Sequence, residues 1–561
     1  MRTTGPVAVA AAVVLGLVTA CGPAMPTSVA GGSEVTVGWA GGVTTTNAAT
    51  AKAGSSDLEL ASLTRAQFGQ IVGGTVEADR TFGTASIVRS APFTVRYDLA
   101  SPEWSDGIPI DASDLLLAWA AGSGGEHGFT PREDDLAHSD RLVRFDESHR
   151  AIEVSFATPE PEWATALQVA VPAHVVGRLA FGIGDPMEAK KKVADAIRDG
   201  DTAALAKIAA AWNTGFALTA TDTPSRLLLS SGPYRISSVS GTGADQQVTL
   251  VPNRHYRGPQ APTYARIVLR GQPEADRLAA LGHGDDVVAL TPTRALSGPV
   301  TALERRDYHV TTAGDGTLWT VVLRGDGGLF DGPKASTAFL SSLPRGAMID
   351  AGGAGWAKAY AASDSFLFAP GSKAYELAVQ DNGYTARLGK AGSGTEAITA
   401  AGLQPGTRVC VGYDTGSEFA RAAVAAMRTG MAEAGWTITD CGKAGLTRLS
   451  DNPRADAVLI RVPIPDDPTQ VAALWGGDHA LPGLSSNKRD ALLAKLAVET
   501  DPYDARDLRI AIERTLVEEA LAAPIATNPR LAVTLPTVDG VKLRPGAGAL
   551  LGGAAEWSPQ K

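Results

Sequence analysis

The stretch FTVRYDLASPEWSDGIPIDASD occupies residues 93–114 and combines several local structural signals. Residues 93–99 alternate between apolar and polar side chains, which is typical of a half-buried strand. Asp106 and Gly107 suit a tight turn, and Trp104 can cover the junction between the strand and the element that follows. We therefore expect Trp104 and Asp106 to have structural roles rather than to contact a ligand.

A helix is predicted directly after this turn, and the rest of the chain alternates between strands and helices. Asp111 or Ser113 stands near the N-cap of the helix predicted over residues 112–121. Further strands are predicted at residues 34–39, 152–156, 247–252, 267–269, 407–413 and 436–439, and helical segments at 58–72, 190–211 and 417–434. This irregular alternation favours an α/β or α+β fold over a repeat array or an all-helical protein.

Two later parts of the chain, residues 231–287 and residues 501–557, carry further motifs. Residues 231–258 contain SGPYRI, a short strand and then NRHYRG, and residues 277–287 contain RLAAL and GDDV. Residues 501–525, followed by residues 536–557, form the last of these segments. Their Gly-Pro and Asn positions suit strand entries and turns, so these motifs are interpreted as scaffold.

Together, these segments resemble the family 5 extracellular solute-binding proteins, which are the oligopeptide, dipeptide and nickel binders of ABC importers. The likeness spans about residues 34–557. It implies an α/β, two-lobed periplasmic-binding-protein-like fold of type II, in the peptide-binding subclass, with a hinge and an interlobe cleft. Lobe I is then expected at residues 34–288 and 526–561, and lobe II at residues 289–525.

The resemblance also implies a function and its partners. A monomeric protein without enzymatic activity would capture a peptide or peptide-like solute and deliver it to an ABC permease and its ATPase. The alternative is a lipoprotein that uses the same fold as a partner-binding or regulatory factor in cell-envelope assembly. No cofactor is expected for either function.

One stretch departs from the family at a functional position. Peptide-binding members commonly show W-x-x-D-x-x-D-P, whose acidic residue pairs with the amino terminus of the peptide. Residues 461–468 read RVPIPDDP, which puts Arg461 at the aromatic position and Ile464 at the acidic one. Asp466 or Asp467 is a replacement candidate, and the alternative is a surface turn. Residues 290–400 also match poorly.

Aromatic side chains supply the remaining ligand-binding candidates, because binding clefts combine aromatic surfaces with a few polar groups. Trp39 ends the first predicted strand, and Trp319 lies within another apolar stretch. Trp356 and Trp475 are preferred, since each stands in or beside a Gly-rich loop with little apolar sequence around it. Packing in a core is the alternative for all four.

The amino-terminal residues resemble a lipoprotein signal peptide. Arg2 precedes a short apolar run, and the sequence VTAC ends at Cys21. Residues 1–20 are thus expected to be removed, Cys21 to be lipidated, and residues 21–33 to form a flexible tether. The protein would then lie at the extracytoplasmic face of the cell membrane, attached by its lipid alone. A plain signal peptide with an incidental cysteine is the alternative.

The other two cysteines flank a predicted strand–helix–strand unit. Cys410 and Cys441 can form a disulfide in an exported chain, and two free buried thiols are the alternative. A metal site is not expected there, because no histidine or further cysteine stands at ligand spacing.

Composition excludes several other functions. The 561 residues are too many for one core, and a net charge of −10 argues against nucleic acid as a partner. H-E-x-x-H, G-x-S-x-G, C-x-x-C and P-loop motifs are absent from the sequence.

His127, His138 and His149 lie among turn residues and are expected to be solvated rather than to bind metal. Abundant Ala and Gly suggest a high-GC genome, as in actinobacteria.

Overall fold

The structure, a computed structural model, describes residues 24–72, 75–123, 127–132, 136, 139–219, 223–325, 327–389, 394–477, 480–544 and 550–560. The predicted signal peptide and Cys21 lie outside the described residues, as does His138. The predicted tether is described from residue 24 onward, and the first strand already begins at Ala30.

Strands and helices alternate along the described residues. The strands are β1 Ala30–Trp39, β2 Gly69–Val72, β3 Thr75–Ala78, β4 Gly83–Ser90, β5 Phe93–Leu99, β6 Ser139–Asp146, β7 Ala151–Phe156, β8 Tyr234–Ser240, β9 Gln247–Pro252, β10 Tyr264–Gly271, β11 Val287–Leu290, β12 His309–Leu323, β13 Arg408–Tyr413, β14 Thr437–Asp440, β15 Ala457–Pro463, β16 Ala522–Thr534, β17 Val538–Asp539 and β18 Ser558–Pro559.

The helices lie between these strands, and short 3-10 helices at Ala354–Ala359 and Leu551–Glu556 accompany them. The α-helices are α1 Ser55–Thr64, α2 Ala112–Gly122, α3 Ala173–Phe181, α4 Pro186–Asp199, α5 Thr202–Thr214, α6 Glu274–Ala280, α7 Arg294–Glu304, α8 Pro333–Ser341, α9 Arg345–Gly353, α10 Lys373–Asp381, α11 Tyr384–Arg387, α12 Thr395–Ala400, α13 Glu418–Glu433, α14 Pro468–Trp475, α15 Asn487–Leu496 and α16 Pro502–Glu519.

Ten strands form one continuous sheet in the order β14-β13-β15-β12-β16-β11-β1-β10-β9-β8. The strands β10, β1 and β11 are parallel, so their carboxyl ends lie at the same edge. On the other side, β13 and β15 are parallel to each other. We refer to the body built on β8–β11 and β1 as lobe I and to the body built on β13–β15 as lobe II.

The long strands β12 and β16 connect the two lobes. Residues His309–Gly314 of β12 pair with β16 where β16 also pairs with β11 of lobe I. Residues Leu318–Val322 pair with β16 again, and this part of β12 also pairs with β15 of lobe II. The register shifts between Gly314 and Leu318. The only strands that the described sheet shares between its lobes are therefore irregular at the crossing point.

Hydrophobic packing follows the same division. One cluster of buried side chains takes its members from Leu318 to Ala526 and forms the core of lobe II. The main lobe I cluster combines residues of β1 and β8–β11 with residues from the end of the chain, including Trp557. Lobe I therefore contains both ends of the described chain, and lobe II lies between them in sequence.

The stretch 93–114 forms the structures expected of it. Residues 93–99 are β5, in a four-stranded sheet of order β4-β5-β7-β6. Trp104 is completely buried, and its Nε1 donates to Asp114 at 3.3 Å. Asp111 caps α2 by accepting the amide hydrogen of Ser113. The predicted strand and N-cap are confirmed.

Two predicted segments are wrong. The helix predicted over residues 58–72 ends at Thr64, and residues 69–72 form β2 instead. The guanidinium of Arg65 donates to the carbonyl oxygens of Thr46, Ala170 and Leu229, so tertiary contacts draw the chain out of the helix. The Gly-rich loop predicted around Trp356 is helical instead: residues 352–353 end α9, and residues 354–355 begin the 3-10 helix that contains Trp356.

Candidate functional site

The facing edges of the two lobes define the candidate site. In lobe I, β1 and β11 end at Trp39 and Leu290, beside the point where β16 leaves for lobe II. In lobe II, β15 ends at Pro463, which pairs with Thr317 of β12 next to the register shift. Ligands of open α/β sheets bind outside the carboxyl ends of the strands. The space between these edges is therefore where a ligand would bind.

A polar network occupies the point where β12 and β16 cross. One carboxylate oxygen of Asp315 accepts from Asn528 Nδ2 at 2.7 Å and lies 3.4 Å from Arg461 Nη1. The other accepts the backbone amide of Thr317 at 2.9 Å. Asn528 Oδ1 accepts from Trp319 Nε1 at 3.0 Å. These bonds satisfy polar groups at the irregular part of the sheet and connect the two strands through side chains.

Trp319, a predicted ligand contact, belongs to a buried aromatic stack. Phe419 lies between Trp319 and Tyr360, with ring-centroid distances of 4.6 and 4.7 Å. Burial raises the pKa of Tyr360 to about 12, and the negative charge of Asp315 acts in the same direction. Trp319 is 7% exposed, so the stack forms a rigid wall of lobe II beside the crossing strands.

Trp356 joins the two lobes directly. Its ring is partly buried against both the lobe II cluster and a lobe I cluster that includes Val300 of α7. Its Nε1 donates to the carbonyl of Thr293 at 2.7 Å. Next to it, the backbone amide of Arg294 donates to the carboxylate of Glu418 at 3.0 Å. The sequence-predicted Trp356 thus makes an interlobe contact within the protein.

Trp39 lies at the lobe I edge with three charged neighbours that the sequence did not single out. Trp39 is 3% exposed, and its Nε1 donates to the carboxylate of Glu59 at 2.6 Å. Burial lowers the pKa of the nearby Arg277, and the positive charge of Arg530 also lowers it, while Glu59 opposes both. At this edge the indole of Trp39 is hydrogen-bonded to the carboxylate of Glu59, and the charges of Glu59 and Arg530 act on Arg277.

Residues 461–468, which depart from the family motif, form the lobe II edge. Asp467 is the N-cap of α14, because its carboxylate accepts the amide of Gln470 at 2.7 Å. Partial burial raises the pKa of Asp466, Asp467 acts in the same direction, and Arg509 opposes it. Ile464, at the acidic position of the family motif, packs against the lobe II core.

Arg509 is the buried charge of this edge. It donates to the carbonyl of Pro465 at 2.6 Å and lies 5.8 Å above the ring of Phe368. Burial lowers the pKa of Arg509, while the charges of Asp466 and of Glu162 from lobe I oppose this shift. The charge of Glu162 also acts on Arg509, although the two residues are far apart in the sequence.

Trp475, preferred on sequence, is placed away from this site. It is 1% exposed, packs edge-on against Phe366 at 5.3 Å, and lies within the lobe II core. Side-chain packing accounts for its order without a solute, since its apolar partners come from residues distant in sequence. The predicted disulfide between Cys410 and Cys441 is present and joins β13 to the end of β14.

The structure adds Glu59, Arg277, Arg509 and Arg530 to the site. No ligand contact was predicted within 277–287 or 501–525, so Arg277 and Arg509 were missed. A signal for Arg530 did exist: it is a single charged residue within the otherwise uncharged run 520–538.

In the described part of the chain, no group of three or more His, Cys, Asp and Glu side chains is arranged to hold a metal ion. Within the same residues, no helix combines the length and the apolar character required to cross a membrane.

Comparison with proteins of known structure identifies the fold. The chain resembles the periplasmic EDTA-binding protein EppA with a TM-score of 0.71 and 18% identity, covering 98% of this chain and 100% of that one. It resembles a putative peptide-binding protein, AppA, from Clostridium difficile with a TM-score of 0.66 and 16% identity, over 94% and 100% of the two chains. For the Bacillus subtilis oligopeptide-binding protein AppA with a nonapeptide, the TM-score is 0.58 at 12% identity, over 94% and 99%. The expected two-lobed fold is thereby confirmed.

Curated relatives match over a shorter range. An uncharacterized lipoprotein of Mycobacterium leprae is 33% identical over 209 residues, which are 36% of this chain and 35% of the relative. One of Mycobacterium tuberculosis is 32% identical over 203 residues, or 34% and 33%. The matched part of the chain spans about a third of the length of these relatives.

A family model covers the central part of the chain. The model of the middle region of bacterial extracellular solute-binding proteins, family 5, matches residues 102–444, more than half of the sequence. Both the W-S-D-G turn and the G-P-Y motif lie within this match. The chain belongs to the family 5 bacterial extracellular solute-binding proteins, which are binding proteins rather than enzymes.

Proposed function

We propose that this protein is the lipid-anchored, extracytoplasmic solute-binding component of an ABC importer. It captures a peptide or peptide-like solute between its lobes and delivers it to a permease and its ATPase. The observation that carries this proposal is the pairing of β12 and β16 in two blocks, one in each lobe, with a register shift between them.

Closure about this crossing is the mechanism. Two strands with an irregular ladder can bend there without breaking either lobe's core, as hinge motion requires. We place the hinge at residues 314–318 and 527–529, which assigns β11, α7 and the first part of β12 to lobe I. A solute that binds the closed state more tightly than the open state shifts the equilibrium toward closure.

The cargo class rests on family membership and on the chemistry of the facing edges. Similar structures are named for EDTA, for peptides and for a nickel–histidine complex. Asp466 is an exposed carboxylate whose charge interacts with Arg509, and it is our candidate for binding an amino group of the solute, while Asp467 stays a secondary candidate because it caps α14. Trp39 and Trp319 are buried beside the two edges, where they support the walls of the cleft.

The proposal of a lipid anchor rests on the sequence VTAC, which ends at Cys21, and on the naming of the mycobacterial relatives as lipoproteins. The residues from Ala24 to the first strand then lead from the lipid to lobe I.

A thermal-shift screen of residues 22–561 tests the proposal. The panel contains di- to octapeptides, modified peptides, sugars, metal ions and chelated metals. A solute at 100 times its dissociation constant stabilises the protein by about 2.7 kcal/mol, which raises the melting temperature measurably. Small-angle X-ray scattering should then show a smaller radius of gyration with that solute. A cooperative melt that no compound shifts would contradict solute capture and favour the envelope-assembly alternative.

A further inference from the structure

The amino-terminal segment of the described chain lies against one loop of lobe I. Ser28 donates through Oγ to the carbonyl of Pro262 at 2.6 Å, and the amide of Ala30 donates to the carbonyl of Thr263 at 2.8 Å. Both carbonyls belong to the loop 253–263, which connects β9 to β10. Because β1 and β10 are parallel, this loop lies at the amino-terminal edge of the lobe I sheet, opposite the edge that borders the cleft.

The bond at Ser28 leaves only a short piece of chain between this loop and the proposed lipid. Ser28 follows Cys21 by seven residues in the sequence. An extended chain spans at most about 3.5 Å per residue, which gives roughly 25 Å for this piece. In the anchored protein, the loop 253–263 must therefore stay within that distance of the membrane surface, and the tether lets it come closer.

Exposed arginines on this edge carry charge that no acidic side chain among the described residues neutralises. Arg257 donates through Nη1 to the carbonyls of Arg254 and Tyr256 at 2.6 and 2.9 Å, which orients its guanidinium without cancelling the charge. Arg254 is exposed and has no ion-pair partner in the described part of the chain. Arg235 is exposed one residue into β8, and it adds a third positive charge at the same edge.

The loop is fixed to lobe I by buried contacts. Asn253 is completely buried, and its Nδ2 donates to the carbonyl of Gly232 at 3.0 Å while its Oδ1 accepts the amide of His255 at 3.0 Å. The Nδ1 atom of His255 lies 2.7 Å from the carboxylate of Glu103. The loop therefore presents its arginines as a fixed surface, and the acidic side chain nearest to its backbone turn is already paired.

The charge of the whole protein makes this edge selective for one kind of surface. The chain has a formal net charge of −10, so most of its exterior is repelled by an anionic membrane. On β1, the exposed Glu34 pairs with Arg266 at 3.4 Å, which leaves the arginines of the loop in excess. Anionic phospholipids attract arginine side chains near the surface, and this attraction falls off within a Debye length of about 10 Å.

We infer that the loop 253–263 docks on anionic phospholipid headgroups through Arg254 and Arg257, with Arg235 beside them. This inference rests on the lipid anchor of the proposed function and adds an electrostatic contact to it. The strand β1 is ten residues long and leads from this edge to the cleft, a distance of about 30 Å. Docking of the loop thus turns the cleft away from the bilayer, toward solutes that arrive from outside.

Energy transfer from the protein to labelled lipid headgroups tests the inference. Residues 22–561 are attached through an amino-terminal histidine tag to vesicles with nickel-chelating lipid, so attachment does not depend on Cys21. Pro259→Cys carries a donor dye on the loop, and Thr242→Cys carries one beyond the other end of β8. Phosphatidylglycerol vesicles should raise the ratio of transfer from position 259 to transfer from position 242 at least about twofold over phosphatidylcholine vesicles. Salt at about 0.5 M should remove the increase.

Charge variants distinguish the docking surface from net charge. Arg254→Gln, Arg257→Gln should abolish the increase, while Arg254→Lys, Arg257→Lys should keep it because lysine keeps the charge. Arg408→Gln, Arg454→Gln is the matched control, since it removes two charges from exposed positions of lobe II, and the increase should persist.

Two results would overturn the inference. One is an equal transfer ratio on both kinds of vesicle for the protein with its arginines intact, and the other is loss of the increase in the lobe II control. Mass spectrometry of the native amino terminus tests the lipid anchor separately, so a failure of the anchor is distinguished from a failure of the docking surface.

Discussion

The indole Nε1 of Trp356 donates a 2.7 Å hydrogen bond to the backbone carbonyl of Thr293, across the boundary between the lobes. The amide of the next residue, Arg294, donates to Glu418 at the start of α13. The first turn of α7 is therefore held by lobe II at two points. This contact lies outside the two crossing strands, so it constrains how far the lobes can separate.

Replacement of Trp356 by phenylalanine should favour the open form. Trp356→Phe keeps an aromatic ring between the two clusters but removes the N–H donor, which is worth about 1 kcal/mol. A loss of that size changes an open-to-closed ratio roughly fivefold. Single-molecule energy transfer between a dye on each lobe would report the change in the solute-free protein.

Trp475→Phe provides the comparison for this experiment. The Nε1 of Trp475 is buried and has no hydrogen-bond partner in the described structure, and the ring lies inside lobe II. This variant should leave the distance distribution unchanged, whatever it does to the stability of lobe II. If the distance distribution of Trp356→Phe is also unchanged, the hydrogen bond to Thr293 does not hold the two lobes together.

Removal of the disulfide should destabilise lobe II. Cys410 and Cys441 are 31 residues apart, and closing a loop of that length contributes about 3–4 kcal/mol on the chain-entropy account. Urea unfolding of the Cys410→Ala, Cys441→Ala double variant, followed by the fluorescence of the buried tryptophans, measures the loss. The free energy of unfolding of the double variant is compared with those of the oxidised and the reduced wild type. A loss below about 1 kcal/mol would contradict a stabilising bridge.

The stability of lobe II should depend on pH through Glu513. Its carboxylate is completely buried and accepts from Ser365 Oγ at 2.8 Å, from Asn382 Nδ2 at 3.1 Å and from the amides of Phe366 and Leu367. Burial raises the pKa of Glu513 above its ordinary 4.5, although these bonds oppose the shift. The stabilising contribution of a raised carboxyl pKa is complete below pH 4.5 and is lost as pH rises through the folded value.

Melting curves of the Glu513→Gln variant check this dependence. The melting temperature of the wild type minus that of the variant should fall between pH 4 and pH 8. Glu433→Gln, at an exposed position on α13, supplies the same chemical change without burial. A difference that stays constant for Glu513→Gln across this range would contradict the raised pKa.

Replacement of Cys21 should abolish lipidation. Cys21→Ser removes the thiol that accepts the lipid, so the variant should carry no diacylglyceryl group and should keep its uncleaved signal peptide. Mass spectrometry of the wild type should find an amino-terminal diacylglyceryl group. Met25→Ala, an exposed change in the same segment, should behave as wild type. A wild-type protein found only in the aqueous phase of a detergent phase separation would exclude the anchor.

Local patterns predicted many strands because their signal lies within a few residues. The predicted strands 93–99 and 247–252 agree with β5 and β9 at both ends. The helix predicted over residues 58–72 failed because Arg65 binds carbonyl groups from three distant segments, and no local pattern contains that information.

Side-chain roles at the site were less predictable for the same reason. Trp356 and Trp475 have similar local sequences, rich in Gly and Ala, yet one bridges the lobes and the other fills a core. The difference depends on which distant elements pack against each ring. Arg530 likewise acts electrostatically on Arg277, which is more than 250 residues earlier in the chain, so no local pattern could predict that interaction.

The arrangement of lobe I from both ends of the chain has a consequence for secretion. A chain that crosses the membrane from its amino terminus delivers residues 34–290 first, but their sheet lacks β16 and their core lacks Trp557. Residues 318–526 follow as one uninterrupted block with a complete core. Lobe II is therefore expected to fold while the first part of lobe I is still an incomplete, aggregation-prone intermediate outside the membrane. Folding of lobe I would be completed only after β16 and the segment that contains Trp557 have crossed the membrane.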